Sequence, residues 1–257
     1  MSFIFKTIKP LAIVALLSAS HVFAVDILVD TTFIDNNGDN DAIGGWQFEV
    51  NSMNVRWTDD GNVTVDVFTN FGDYNDKYGS GHHGINNIVF GDLLISTGGD
   101  TNAFDYAFKL TDGRFDKYYG SGYSEHDGSL VEISSTITAG QYHGADANVQ
   151  HDGQIAGINN GSGNDVAGSW SVDTQNAGGN HDNYDKLSFN FNVDGIAAFQ
   201  NASQLAFSWA MSCANDVIHG VVNVSKPNKP ATIPEPATIM LFLLGLAFIV
   251  RNKAKAN

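Results

Sequence analysis

Polar and apolar residues alternate strictly through Asn62-Val63-Thr64-Val65-Asp66-Val67-Phe68, which places Val63, Val65 and Val67 on one face of a strand. Asp60-Gly61 directly before this run is a turn signal, so the stretch from Trp46 to Trp57 is its predicted hairpin partner. Leu187, Phe189, Phe191 and Val193 alternate with polar residues in the same way. Shorter apolar runs predict further strands at Ile88–Ile95, Phe104–Leu110, Leu130–Ile137, Gly168–Val172, Leu205–Ala210 and Val217–Val224. No segment between Val25 and Val224 has a persuasive helical period, and the Gly/Asn/Asp-rich stretch from Ala139 to Asn183 reads as a long loop region. Many short strands in one domain predict an all-β fold, an antiparallel β-sandwich of jelly-roll or lectin-like kind.

The two ends break this pattern. Residues 1–24 have Lys6 and Lys9 before an unbroken apolar run from Leu11 to Leu17, and then Val22-Phe23-Ala24. Small residues at the last and third-last positions suit signal peptidase, so the expected cut lies between Ala24 and Val25 and the chain is read as exported. At the other end, residues 226–232 form a Pro-rich linker, since each proline fixes φ and resists both helix and sheet. Ile233-Pro234-Glu235-Pro236 follows, then the apolar run Ala237 to Val250, then Arg251, Lys253 and Lys255. The run predicts a hydrophobic helix, yet its 14 residues fall short of the about 20 that span a bilayer comfortably, with cations placed to hold it at the cytoplasmic side. It reads as a segment held briefly at the inner membrane and then processed.

The organisation is therefore a signal peptide at 1–24, a β-sandwich domain at 25–225, the linker, and a tail at 233–257 whose hydrophobic segment is 237–250. Pro234-Glu235-Pro236, Leu244-Gly245-Leu246-Ala247 within the run, and the basic end together resemble the PEP-CTERM sorting tail of Gram-negative bacteria. That resemblance implies recognition by an exosortase, removal of the tail near the motif, and delivery to the cell surface or extracellular matrix. It also implies a structural or adhesive role in exopolysaccharide or biofilm. Asn252 is a departure, since a second arginine is common there. The segments Gly91–Thr97, Phe104–Phe108 and Phe207–Gly220 resemble a β-rich middle domain often found ahead of such tails, which implies no defined catalytic activity.

Charge narrows the partners. Thirteen Lys and Arg against 28 Asp and Glu give a formal charge of −15, so nucleic acid, which demands a basic patch, is not an expected partner. A single cysteine excludes a disulfide framework. Aspartate outnumbers glutamate 24 to 4, and Asp35-Asn36-Asn37-Gly38-Asp39-Asn40-Asp41 is the densest cluster. Asp35, Asn37 and Asp39 open like an EF-hand loop, but Asn40 stands where a glycine belongs and Trp46 where a bidentate glutamate belongs. Two readings fit: a non-EF Ca²⁺ loop through Asp35, Asn37, Asp39 and Asp41, or turn chemistry and surface charge.

Other chemistry is thinner. Histidine precedes aspartate at His126, His151 and His181, without the helical spacing of a zinc motif. No G-x-S-x-G elbow occurs, and nothing selects a glycosidase pair from Glu49, Glu125, Glu132 and the aspartates. The chain is therefore read as a non-enzyme, with a glycoside hydrolase or lyase as the catalytic alternative. Tyr78, Tyr118 and Tyr119 lie in Gly-rich stretches and can stack on sugar rings, which makes a carbohydrate-binding module the other alternative.

Overall fold

Alternation in the sequence becomes alternation in space. In the computed structural model, which describes residues 25–35, 48–71, 88–111, 122–143, 153–174 and 184–226, Val63, Val65 and Val67 are buried while Asn62, Thr64 and Asp66 face outward. The described strands are β1 (Ile27–Ile34), β2 (Val50–Thr58), β3 (Asn62–Thr69), β4 (Leu93–Ser96) and β5 (Tyr106–Leu110). They continue with β6 (Gly122–Thr138), β7 (Ile155–Thr174), β8 (Asp185–Asn192), β9 (Gln204–Ala210) and β10 (Val217–Asn223). Two single-turn helices, α1 (Ala139–His143) and α2 (Ala197–Asn201), complete the described elements.

The all-β, antiparallel expectation holds, but the division into two sheets does not. All ten strands join one sheet in the order β1-β2-β3-β8-β7-β6-β5-β4-β9-β10, and every pairing is antiparallel. The sheet curls until its first and last strands meet, giving a nearly closed barrel rather than a sandwich. Curling buries the inner face on itself and leaves only two edges to protect.

Three ties hold the seam between those edges. At one end Asp216 Oδ2 accepts the Val50 N–H at 2.6 Å. In the middle, Gly220 leaves room for the Phe33 ring, which a Cβ there would strike. At the other end the Ser225 N–H donates to Leu28 O at 3.0 Å.

The core fills the barrel interior. Phe48, Phe71, Phe90, Trp170 and Trp209 form a linked aromatic group, with Phe48–Phe71 centroids 6.1 Å apart and Phe90–Trp170 5.7 Å apart. Trp57, Tyr106 and Phe199 of α2 close the opposite end. The two central tryptophans differ in a testable way. Trp209 Nε1 donates to Gly91 O at 3.2 Å, whereas Trp170 Nε1 is buried with no acceptor. Trp209→Phe is therefore expected to cost about 1–2 kcal/mol more than Trp170→Phe, because only the first orphans a buried carbonyl; equal unfolding midpoints for the two variants would contradict this.

The strand predicted at Gly168–Val172 is part of the 20-residue β7, but β7 begins at Ile155, so it and α1 occupy much of the stretch from Ala139 to Asn183 that reads as loop. β7 pairs with the 17-residue β6, and register shifts at Leu130/Glu132, Ile133/Ser135, Ser135/Thr136 and Ile137/Thr138 interrupt the ladder. Such irregularities bend a hairpin. The distal half packs over the outside of β4 and β5, where Val131 and Ile158 cover Leu94 and Ala107. The strand predicted over Ile88–Ile95 shrinks to β4 plus a single bridge from Phe90 to Met211. β1 was not predicted at all. Among the described residues no helix is long and apolar enough to cross a membrane; the signal segment and the expected tail helix lie outside those residues.

Candidate functional sites at the rim and on the outer face

Antiparallel order sends every second connection to the same end of the barrel. The strand ends flanking residues 36–47, 72–87, 112–121 and 175–183 all lie at one rim, together with the turn from β9 to β10. The buried acids among the described residues, Asp92, Asp185 and Asp216, also belong to this half. Thr69 works beside them: its Oγ1 donates to Glu49 O at 2.7 Å and accepts the Phe71 N–H at 3.0 Å.

Asp92 is the most connected of these acids. It is 1% exposed, and its two oxygens accept the Leu110 N–H at 3.1 Å and the Ile158 N–H at 2.9 Å. Its own N–H donates to Ala156 O at 3.3 Å. One carboxylate thereby fastens the end of β5 and the folded-back part of β7 to the start of β4. Gly91 beside it has Ala156 O and Ala210 O so close that no Cβ fits. Neither role is visible in the sequence: the partners of Asp92 lie 18 and 66 residues away, and the neighbours of Gly91 belong to β7 and β9.

Ser212 and His143 form a second tie. Ser212 Oγ accepts the Val89 N–H at 3.0 Å and lies 3.0 Å from His143 Nε2 on α1. Ser212 has no exposure, so this pair holds the hairpin tip against the barrel instead of presenting a nucleophile. His126 lies against Trp170, ring centroids 4.7 Å apart and planes 29° from parallel. His219 is exposed on β10.

Cys213 is fully buried, and burial pushes its thiol from 9.0 up to about 12. The folded chain is expected to resist a thiol reagent at pH 8 and to react only when unfolded; rapid labelling of the native chain would overturn this burial. The sign for stability follows. The unfolded thiol ionises near 9.0 and the folded one near 12, so this contribution is complete below pH 9 and is lost as pH rises towards 12.

The predicted site residues fall unevenly. Asp35 directly follows β1, and its N–H donates to Asn51 O at 2.8 Å. Asn37, Asp39, Asp41, Tyr78, Tyr118, Tyr119, Ala24 and Pro234-Glu235-Pro236 lie outside the described residues, whereas Val25 is exposed. No group of three or more His, Cys, Asp or Glu placed to hold a metal occurs among the described residues. Tyr123 is 65% exposed on the outer face of β6, its hydroxyl 3.4 Å from Glu125 Oε2. Glu132, exposed at the far end of the barrel, stands across from Tyr106.

Away from the rim, the outer face of β3, β8 and β7 carries ordered rows of amides and hydroxyls. Thr64 stands across from Asn190, and Asn190 from Ser169. Asn62 stands across from Asn192 in the next row. At the adjoining hairpin Gly61 has φ 87°, and Asp60 accepts the Thr58 hydroxyl at 2.6 Å and an Asn62 Nδ2 donor at 2.7 Å. The Thr58 bond chiefly holds this carboxyl below its ordinary range.

Comparison with known proteins bears on the tail. Residues 232–253 match the PEP-CTERM protein-sorting motif. No curated protein and no solved structure matches the chain. The chain thus carries a PEP-CTERM sorting motif around Pro234-Glu235-Pro236, which implies an exported protein sorted to the surface of a Gram-negative bacterium by an exosortase.

Proposed function

We propose that this is a structural or adhesive protein of the exopolysaccharide matrix, built as an acidic β-barrel and released to the surface when its tail is removed. The observation that carries the reading is the sorting motif at 232–253. In this reading signal peptidase cuts between Ala24 and Val25, the apolar run 237–250 holds the chain briefly at the inner membrane, and the exosortase cuts near Pro234-Glu235-Pro236. An acidic surface suits such a product, and the whole chain has a formal charge of −15. The two ends removed in this reading hold five of its 13 cations and one of its 28 acids, so the exported part is more acidic still, which favours solubility. The role has no catalytic step.

Replacing Pro234-Glu235-Pro236 by three alanines is expected to leave most of the chain unprocessed in the membrane fraction. Unchanged processing and unchanged surface display would end the proposal. Ca²⁺ bridging through Asp35, Asn37, Asp39 and Asp41 belongs to the same reading and rests on residue pattern. Its test is a rise in thermal midpoint in millimolar Ca²⁺ that Mg²⁺ does not reproduce, because a ligand bound only by the folded chain must stabilise it. Carbohydrate binding is the second reading, and the polar rows on the outer face favour it.

A further inference from the structure

We infer that the outer face of β3, β8 and β7 is a binding site for a neutral polysaccharide chain lying across the strands. The inference deepens the matrix reading and rests on it for the presence of the ligand, not for the binding itself. A groove of about 560 Å³ opens on this face, and Asn62, Thr64, Ser169, Asn190 and Asn192 contribute its polar lining. Val63, Gly168 and Phe191 point their side chains inward or have none, so between the two rows only backbone forms the floor.

The chemistry of the lining selects the ligand. Every polar side chain in it is an amide or a hydroxyl; none is ionisable. An anionic or cationic ligand therefore gains no charge partner there, and the chain's net charge of −15 further disfavours anions. The lining has no exposed aromatic ring, and Ala167 adds a small apolar patch beside the polar rows, which suits the C–H face of a sugar. Hydroxyl-rich, uncharged chains match it, because an amide and a hydroxyl side by side donate to and accept from neighbouring sugar hydroxyls.

One row is fixed and the other has capacity to spare. Asn192 Nδ2 donates to Asp60 O at 3.1 Å and to Asn62 Oδ1 at 2.9 Å, while its Oδ1 accepts the Asp194 N–H at 2.8 Å. That wall is held rigid by the β2–β3 hairpin. In the other row Asn190 Oδ1 accepts the Thr64 hydroxyl at 3.0 Å, which orients the amide and turns its Nδ2 donors away from that bond. Ser169 Oγ stands across from it. A preset amide loses little freedom on binding, which is where weak surface sites usually lose affinity. Neighbouring strands lie about 4.8 Å apart, close to the length of one pyranose unit, so the row Thr64–Asn190–Ser169 meets successive sugars in register.

The test is native electrophoresis of the purified full chain in gels containing hydroxyethylcellulose, dextran or alginate. Retarded migration is expected in at least one of the two neutral glucans and not in anionic alginate. The double variant Ser169→Ala, Asn190→Ala is expected to weaken that retardation at least tenfold with its thermal midpoint unchanged, since both residues are outside the core. Ser169→Trp, which fills the groove from its wall, is expected to do the same. No retardation in either neutral glucan, equal retardation in alginate, or full retardation of both variants would each overturn the proposal. Sorting is read separately: the double variant is expected to be processed and displayed normally, so failure of the groove and failure of the tail give different results.

Discussion

Replacing Asp92 by alanine is expected to destabilise the purified chain by about 4 kcal/mol. Two buried N–H groups, those of Leu110 and Ile158, lose their acceptor at once. Each orphaned donor costs about 1–3 kcal/mol in a site where the native residue is 1% exposed. That loss approaches the whole stability of many domains. Asp92→Asn tests the cause, because the amide keeps the shape but turns an NH₂ group towards one of the two donors. It is expected to cost about half as much. Urea unfolding decides the matter: an alanine variant within 1 kcal/mol of the parent would mean that Asp92 does not fasten the folded-back hairpin.

Gly91→Ala is expected to be more severe still and to prevent folding. A Cβ at this position would strike Ala210 O and lie 2.6 Å from Ala156 O. Both obstacles are backbone atoms, one in β9 and one in β7, so no rotamer change relieves them. The same residue's carbonyl accepts Trp209 Nε1, and shifting the backbone breaks that bond as well. A cost beyond about 4–5 kcal/mol follows, the range reached only by major steric or polar defects. Gly153→Ala is the control, since nothing lies within 4 Å of its added Cβ, and it is expected to unfold within about 0.5 kcal/mol of the parent. Soluble Gly91→Ala protein with a parental midpoint would show that β4, β7 and β9 do not approach as closely as described.

The legibility of this fold in its sequence follows burial. β3 and β8 alternate strictly because each buries one apolar face in the core and carries mostly polar residues on the other, where Ser188 alone is covered. β1 has no such signature: Val29 alone is buried in Ile27–Ile34, since the strand sits at the seam and has little to cover it. The distal half of β7 escaped for another reason. Its apolar positions, Ile155 and Ile158, pack on the outside of the barrel, and Gly157, Asn159, Asn160 and Gly161 around them look like loop composition. The sheet order was hidden for the same reason that it matters. A two-sheet sandwich and a curled single sheet require the same strands, and only long-range pairings such as β3 with β8 tell them apart. The sorting tail, by contrast, is a local motif and could be read directly. For the outer face, the residues Asn62, Thr64, Asn190 and Asn192 were visible as polar positions, but their assembly into one surface depends on the pairing of segments more than 120 residues apart.

The seam has a kinetic consequence. β1 and β10 are the first and last strands, so the ties from Val50 to Asp216 and from Leu28 to Ser225 close loops that span most of the barrel's chain. Such closures come late and slowly, since the entropy of the long loop must be overcome before the contact stabilises anything. Until Ser225 is available, Leu28 O at the open edge of β1 lacks the backbone donor that it has in the finished barrel. The residue that supplies the last tie stands seven positions before residue 232, where the sorting motif begins. Completion of the barrel and delivery of its tail are therefore nearly the same event along the chain.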